Sequence, residues 1–136
     1  MTKYLFLITI LALLSIGWLN VNKNRNVPQA QKYTNITSDQ LYEMLKSKDF
    51  YFVNVHIPYE GEIEGTDAFI PYNEIAQNLD KLPEDKNAKI VLYCRSGKMS
   101  EIAAQELSDL GYTNVYNHQF GMHDWQSKGY QLRNKN

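Results

Sequence analysis

The one cysteine of this 136-residue chain, Cys94, stands in the stretch Ile90-Val91-Leu92-Tyr93-Cys94-Arg95-Ser96-Gly97-Lys98-Met99-Ser100. A thiol attacks as its thiolate, so its surroundings decide whether it reacts or is a small buried hydrophobe. Residues 90–93 form a short apolar run bounded by charge, and the run reads as a fully buried strand. Gly97 marks a turn, and helical spacing begins at Met99. Cys94 is therefore expected at the C-terminal end of a strand, just before a helix N-terminus. Open α/β sheets bind their ligands there. Unpaired N–H groups and the positive end of the helix dipole stabilise a thiolate in that position.

The neighbouring residues suit nucleophilic sulfur chemistry. If Arg95, Ser96, Gly97, Lys98, Met99 and Ser100 wrap around the sulfur, their N–H groups form a concavity for an anion. Such a cradle fits a thiolate, the outer sulfur of a persulfide, or an oxyanion leaving group. Arg95 is the candidate for an anionic donor, since a guanidinium recognises oxyanions in a bidentate way. Lys98 assists as a point charge. Ser96 and Ser100 either donate hydroxyls to the sulfur or tie down the turn, with Ser100 also placed to start the helix. Gly97 supplies a backbone conformation that a side chain would obstruct.

One cysteine excludes an internal disulfide framework, a Cys-x-x-Cys redox pair and a multi-thiolate zinc site. His56, His118 and His123 have no metal-ligand spacing, so neither a metal nor a cofactor is expected. Phe120 and Trp125 read as core or pocket-rim aromatics. Lys and Arg number 14 against 15 Asp and Glu, which suggests neither nucleic-acid binding nor a polybasic membrane patch.

The segment Cys94 to Ser100 resembles the active-site loop of the single-domain rhodaneses, a sulfurtransferase family, and the likeness runs from the strand at Phe52 to Tyr130. Gly61-Glu62-Ile63-Glu64-Gly65, followed by Ile70-Pro71, is similar to the family's Gly-His-Ile-Pro-Gly-Ala…Ile-Pro segment, with one extra residue before Ile70. Gly121-Met122-His123-Asp124-Trp125 and Gly129-Tyr130 are similar to its closing Gly-Gly-Met-x-x-Trp…Gly-Tyr segment. The resemblance implies a rhodanese-like α/β fold and a two-step reaction. Cys94 takes the outer sulfur of a small donor such as thiosulfate, releasing sulfite, and passes it from a persulfide to cyanide or a thiol, including a protein thiol. One cysteine suffices, because covalent catalysis splits the transfer into two displacements. Two other readings stay open. One is a non-enzymatic sulfur carrier or partner-binding module. The other, a cysteine phosphatase, would need an arginine where Ser100 stands and a longer loop. This chain also departs from the family where Asn54-Val55-His56 replaces Asp-Val-Arg, and where Glu62 and Glu64 replace His and Pro. These changes bear on how the loop is anchored and on the charge at its mouth. Glu60, Glu62, Glu64 and Asp67 are expected to line that rim.

The elements that must position the loop follow from patterning. Tyr33 to Ile36 reads as an edge strand, and Thr37 or Ser38 caps a helix carrying Leu41, Met44 and Leu45 that ends near Lys48. Phe50 to Val55 is a buried strand, and His56 to Phe69 a loop. Ile75, Leu79 and Leu82 predict a short helix that Pro83 stops. After the Cys94 loop, Ile102, Ala103, Leu107 and Leu110 form the stripe of a helix closed by Gly111. Thr113 to Tyr116 is a strand, and Met122 to Lys128 a last helix. This alternation predicts a mostly parallel central sheet flanked by helices on both faces.

Residues 1–19 read as a signal peptide or membrane anchor, residues 20–32 as a linker, 33–132 as the domain and 133–136 as a polar tail. Lys3 precedes a run from Tyr4 to Leu19 that is apolar apart from Thr9 and Ser15. Either fate of that run places the domain outside the cytoplasm, in a periplasm or at a cell surface, with the membrane touched only through this segment.

Overall fold

The computed structural model describes residues 30–134, so the apolar segment 1–19 and most of the linker lie outside the described residues. In chain order the elements are β1 (Thr34–Ile36), α1 (Ser38–Leu45), β2 (Tyr51–Asn54), β3 (Glu62–Ile63), β4 (Ala68–Phe69), a 3-10 helix (Tyr72–Lys81), β5 (Ile90–Tyr93), α2 (Lys98–Asp109), β6 (Val115–His118), α3 (Gly121–Ser127) and β7 (Leu132–Arg133). Five strands pair in the order β1-β6-β5-β2-β4, and every pairing among them is parallel. The strand that ends at the cysteine is thus the middle one. β3 and β7 form a separate antiparallel pair, Glu62 opposite Arg133 and Ile63 opposite Leu132. The expected boundary between domain and tail falls inside that second strand.

Strand periodicity sorts the core into two layers. Ile90 and Leu92 face Ala103, Ala104, Leu107 and Ile75, on the side of α2 and the 3-10 helix. Val91 and Tyr93 face Leu41, Met122 and Trp125, on the side of α1 and α3. Helices therefore cover both faces, as the patterning predicts. Both faces of β5 are fully buried, and each such aliphatic side chain contributes about 1.5–3 kcal/mol of transfer free energy.

Of the two capping candidates it is Thr37 that caps α1, as expected: its hydroxyl accepts from the Gln40 N–H at 3.2 Å while Gln40 Oε1 accepts from the Thr37 N–H at 2.8 Å. Several elements differ from expectation for identifiable reasons. Helix α1 closes at Leu45, before Lys48. The turn at 72–81 is 3-10 and is interrupted at Asn78. β6 is shifted to 115–118, because the Thr113 N–H bonds the Lys86 carbonyl outside the sheet. The stripe assigned to α2 is also rotated. Ile102 and Leu110 are 55% and 41% exposed, and the buried face runs through Ser100, Ala103, Ala104, Leu107 and Ser108. Small residues on that face let the helix lie close to the sheet. Among the described residues no helix is long and apolar enough to cross a membrane.

Ser38, freed from capping, joins a buried network. Its Oγ donates to Asp124 Oδ2 at 2.5 Å and lies 2.8 Å from His118 Nε2. The serine has one proton, so His118 donates from Nε2. Burial pushes His118 down to about 4, with Asp124 pulling the other way. The folded protein thus holds a neutral imidazole, while the unfolded chain protonates near 6.5. His118 then contributes stability that is complete above the unfolded value and is lost as pH falls through the folded one, by up to about 3 kcal/mol. Urea midpoints measured from pH 7 to pH 4 should fall, and His118→Gln should flatten that slope. An identical slope in the two proteins would contradict the assignment.

Candidate active site

β5 delivers Cys94 to the carboxyl edge of the sheet, where α2 starts after three intervening residues. The side chain is 1% exposed. Its Sγ accepts the Gly97 N–H at 3.0 Å and lies 3.4 Å from Ser100 Oγ. The same hydroxyl is 3.2 Å from the Gly97 carbonyl, so its single proton is shared between the sulfur and the turn. In the first turn of α2 the N–H groups of Lys98, Met99 and Ser100 have no partner within the helix. The donors on the sulfur, placed at a helix N-terminus, stabilise negative charge at Sγ.

Gly97 makes this loop possible. Its φ is +92°, and a Cβ there would collide with the Gln119 carbonyl. The opposite wall is the turn into α3. Gly121 packs against the Arg95 carbonyl with no room for a side chain. Beside it the N–H groups of Met122 and His123 bind the carbonyls of Cys94 and Arg95, each at 2.9 Å. The start of the loop is therefore held from both sides by backbone. Gly121 to His123 were visible in the sequence only through the closing motif; nothing local to Cys94 points to them.

The other expected site residues are divided by the fold. Ser96 and Lys98 are exposed, and Lys98 has no ion pair among the described residues. Met99 packs its side chain against the core, leaving its N–H as what it offers the loop. Arg95 is exposed and bound by a carboxylate: its Nη1 lies 3.0 and 3.1 Å from the two oxygens of Glu60. Glu60 in turn holds His56 Nε2 at 2.6 Å. The His56 hydrogen bond first, and Arg95 second, hold the Glu60 carboxyl below its ordinary value. Two shallow depressions open around the loop. One of about 250 Å³ includes Ser96, Lys98, Gln119 and Phe120, and one of about 360 Å³ includes Arg95, Ser96, Phe120, His123 and Asp124.

The departures at Asn54 and His56 also have a structural account. Buried Asn54 donates to the Gly61 carbonyl at 3.0 Å and accepts the His56 N–H at 3.0 Å, so an amide anchors the loop that follows β2. Of the four acidic residues expected at the rim, Glu60 is bound to the arginine of the cysteine loop. Glu64 pairs with Arg133 at 2.7 Å. Asp67 pairs with Lys48 at 2.6 Å and accepts the Phe52 N–H. Glu62 lies in β3, opposite Arg133. Of the four, Glu60 bonds directly to the side chain of Arg95 in the cysteine loop. Among the described residues no group of three or more His, Cys, Asp or Glu is placed to hold a metal.

Residues 37–128 match the family model of the rhodanese-like domain. The chain belongs to that family. Its rhodanese-like domain resembles a rhodanese-related protein from Thermoplasma volcanium, with a TM-score of 0.62 and 29% identity over 74% of this chain and 97% of that one. It is 30% identical over 69 residues to the thiosulfate sulfurtransferase PspE of Escherichia coli, covering 49% of this chain and 66% of PspE. It is 32% identical over 95 residues to a tRNA uridine(34) hydroxylase of Hamiltonella defensa, covering 64% of this chain. The chain spans only 26% of that enzyme's length. The fold and the family's sulfurtransferase-like character, at that coarse level, thus accompany the cradle around Cys94.

Proposed function

We propose that this rhodanese-like domain is a sulfurtransferase working through a Cys94 persulfide. The observation that carries this reading is the pair of donors on Sγ, the Gly97 N–H at 3.0 Å and Ser100 Oγ at 3.4 Å. In the first step the Cys94 thiolate attacks the outer sulfur of a donor such as thiosulfate. A sulfur–sulfur bond forms, and the bond to the sulfonyl sulfur breaks with its electron pair leaving as sulfite. The free N–H groups at the start of α2 then stabilise the persulfide anion. In the second step cyanide or a thiolate, free or on a protein, attacks that outer sulfur and regenerates the Cys94 thiolate. Thiocyanate production from thiosulfate and cyanide tests turnover. Sustained turnover supports the enzyme, whereas a single stoichiometric transfer would mark a sulfur carrier.

The segment 1–19, which is too apolar to remain in water, supports export or membrane anchoring of the domain. Fractionation of cells making the full chain should place it in the membrane or outside the cytoplasm. Recovery of full-length protein from the soluble cytoplasm would refute that placement.

A further inference from the structure

We propose that Glu60 sets the charge preference of the site, masking Arg95 so that sulfane donors of low negative charge are used in preference to the thiosulfate dianion. The inference rests on the sulfurtransferase reading and deepens it. Arg95 follows the nucleophile and is the nearest cation to it in the chain, yet its guanidinium contacts both oxygens of Glu60 at 3.0 and 3.1 Å. Glu60 is not a loose surface charge. His56, which is 7% exposed, holds the same carboxylate through Nε2 at 2.6 Å, and the His56 backbone is fixed by buried Asn54. The acid is therefore held from behind by a buried side chain while it neutralises the arginine in front.

The other charges around the loop do not restore a positive field. Lys98 shares its depression with Glu101, which accepts the Tyr33 hydroxyl. Asp124 lines the depression that holds Arg95 and His123. A dianion approaching Cys94 meets an Arg95 whose charge Glu60 offsets, and it gains little steering from that guanidinium. A monoanionic thiosulfonate or a thiol persulfide loses less by that compensation. The chemistry is unchanged between such donors: the outer sulfur bonds to Sγ, and the electron pair of the broken bond leaves with a sulfite, sulfinate or thiolate. Glu60 acts through Arg95 and touches no reacting atom, so it is a specificity-determining positioning residue.

The test compares Glu60→Gln and Glu60→Asp with the parent, using thiosulfate (a dianion) and benzenethiosulfonate (a monoanion) as donors and cyanide as acceptor. Removing one negative charge should act about twice as strongly, in free energy, on a dianion as on a monoanion. A gain of about threefold in kcat/KM for benzenethiosulfonate should then accompany about ninefold for thiosulfate in Glu60→Gln. The gain should shrink as salt is raised, and Glu60→Asp should keep the parent's donor ratio. Equal gains for both donors, no gain, or a loss with both would overturn the role of Glu60. A parent Cys94 that takes up no sulfur from either donor would instead overturn the sulfurtransferase reading, so the two failures are distinguishable.

Discussion

Cys94→Ser should reduce thiocyanate formation to the uncatalysed rate, a loss of at least about a thousandfold, while leaving the fold intact. Cys94 is the only thiol in the chain, so no second sulfur can take over its part. A serine hydroxyl is smaller than the thiol and can still accept the Gly97 N–H, so the loop keeps a partner in the same place. Far-UV circular dichroism and the urea midpoint should therefore stay close to the parent's. Turnover above background in this variant would exclude the persulfide mechanism. Loss of folding would show instead that Cys94 matters chiefly as one of the core residues beneath α2.

The second large effect concerns the loop that holds the sulfur. Gly97→Ala should destabilise the domain by about 2–4 kcal/mol and lower kcat/KM by about a hundredfold or more. Two costs combine. An alanine at φ +92° is strained, and its Cβ would enter the Gln119 carbonyl, which cannot yield without moving the turn between β6 and α3. The start of α3, which follows that turn directly, binds the carbonyls of Cys94 and Arg95 through Met122 and His123. A shift made to relieve the clash therefore displaces the nucleophile and withdraws the N–H group now 3.0 Å from its sulfur. Urea denaturation reads the first effect, and donor-dependent kinetics read the second. A variant with the parent's stability and activity would contradict the cradle.

What was legible in the sequence was local. β5 announced itself as an apolar run, and the turn and helix start after Cys94 followed from Gly97 and the spacing beyond it. Parallel architecture followed from alternating strands and helices. The apolar stripe of α2 does not mark its buried face, because that face is completed by serines. Ser100 and Ser108 sit on the buried face with their hydroxyls bonded, Ser100 to the cysteine loop and Ser108 to the Ala104 carbonyl at 2.8 Å. Ile102 lies outside that face. β3 and β7 are two-residue strands joined across the domain, too short to leave any periodicity.

The same limit applies to the site. The Cys94–Gly97–Ser100 unit spans one turn and could be anticipated, whereas Glu60 and Arg95 are 35 positions apart. Nothing in the spacing of Glu60, Glu62, Glu64 and Asp67 tells which one turns toward the loop. Strand register and the Asn54 anchor decide that, and both belong to tertiary structure. Ser38, His118 and Asp124 come together for the same reason, from three different elements.

The most direct test of the central claim is the intact mass of the domain after incubation with a sulfane donor and removal of the excess. The account predicts a gain of one sulfur atom, carried by Cys94, absent from Cys94→Ser and removed by dithiothreitol. An unchanged mass with both thiosulfate and benzenethiosulfonate, in folded protein with a free thiol, would contradict it.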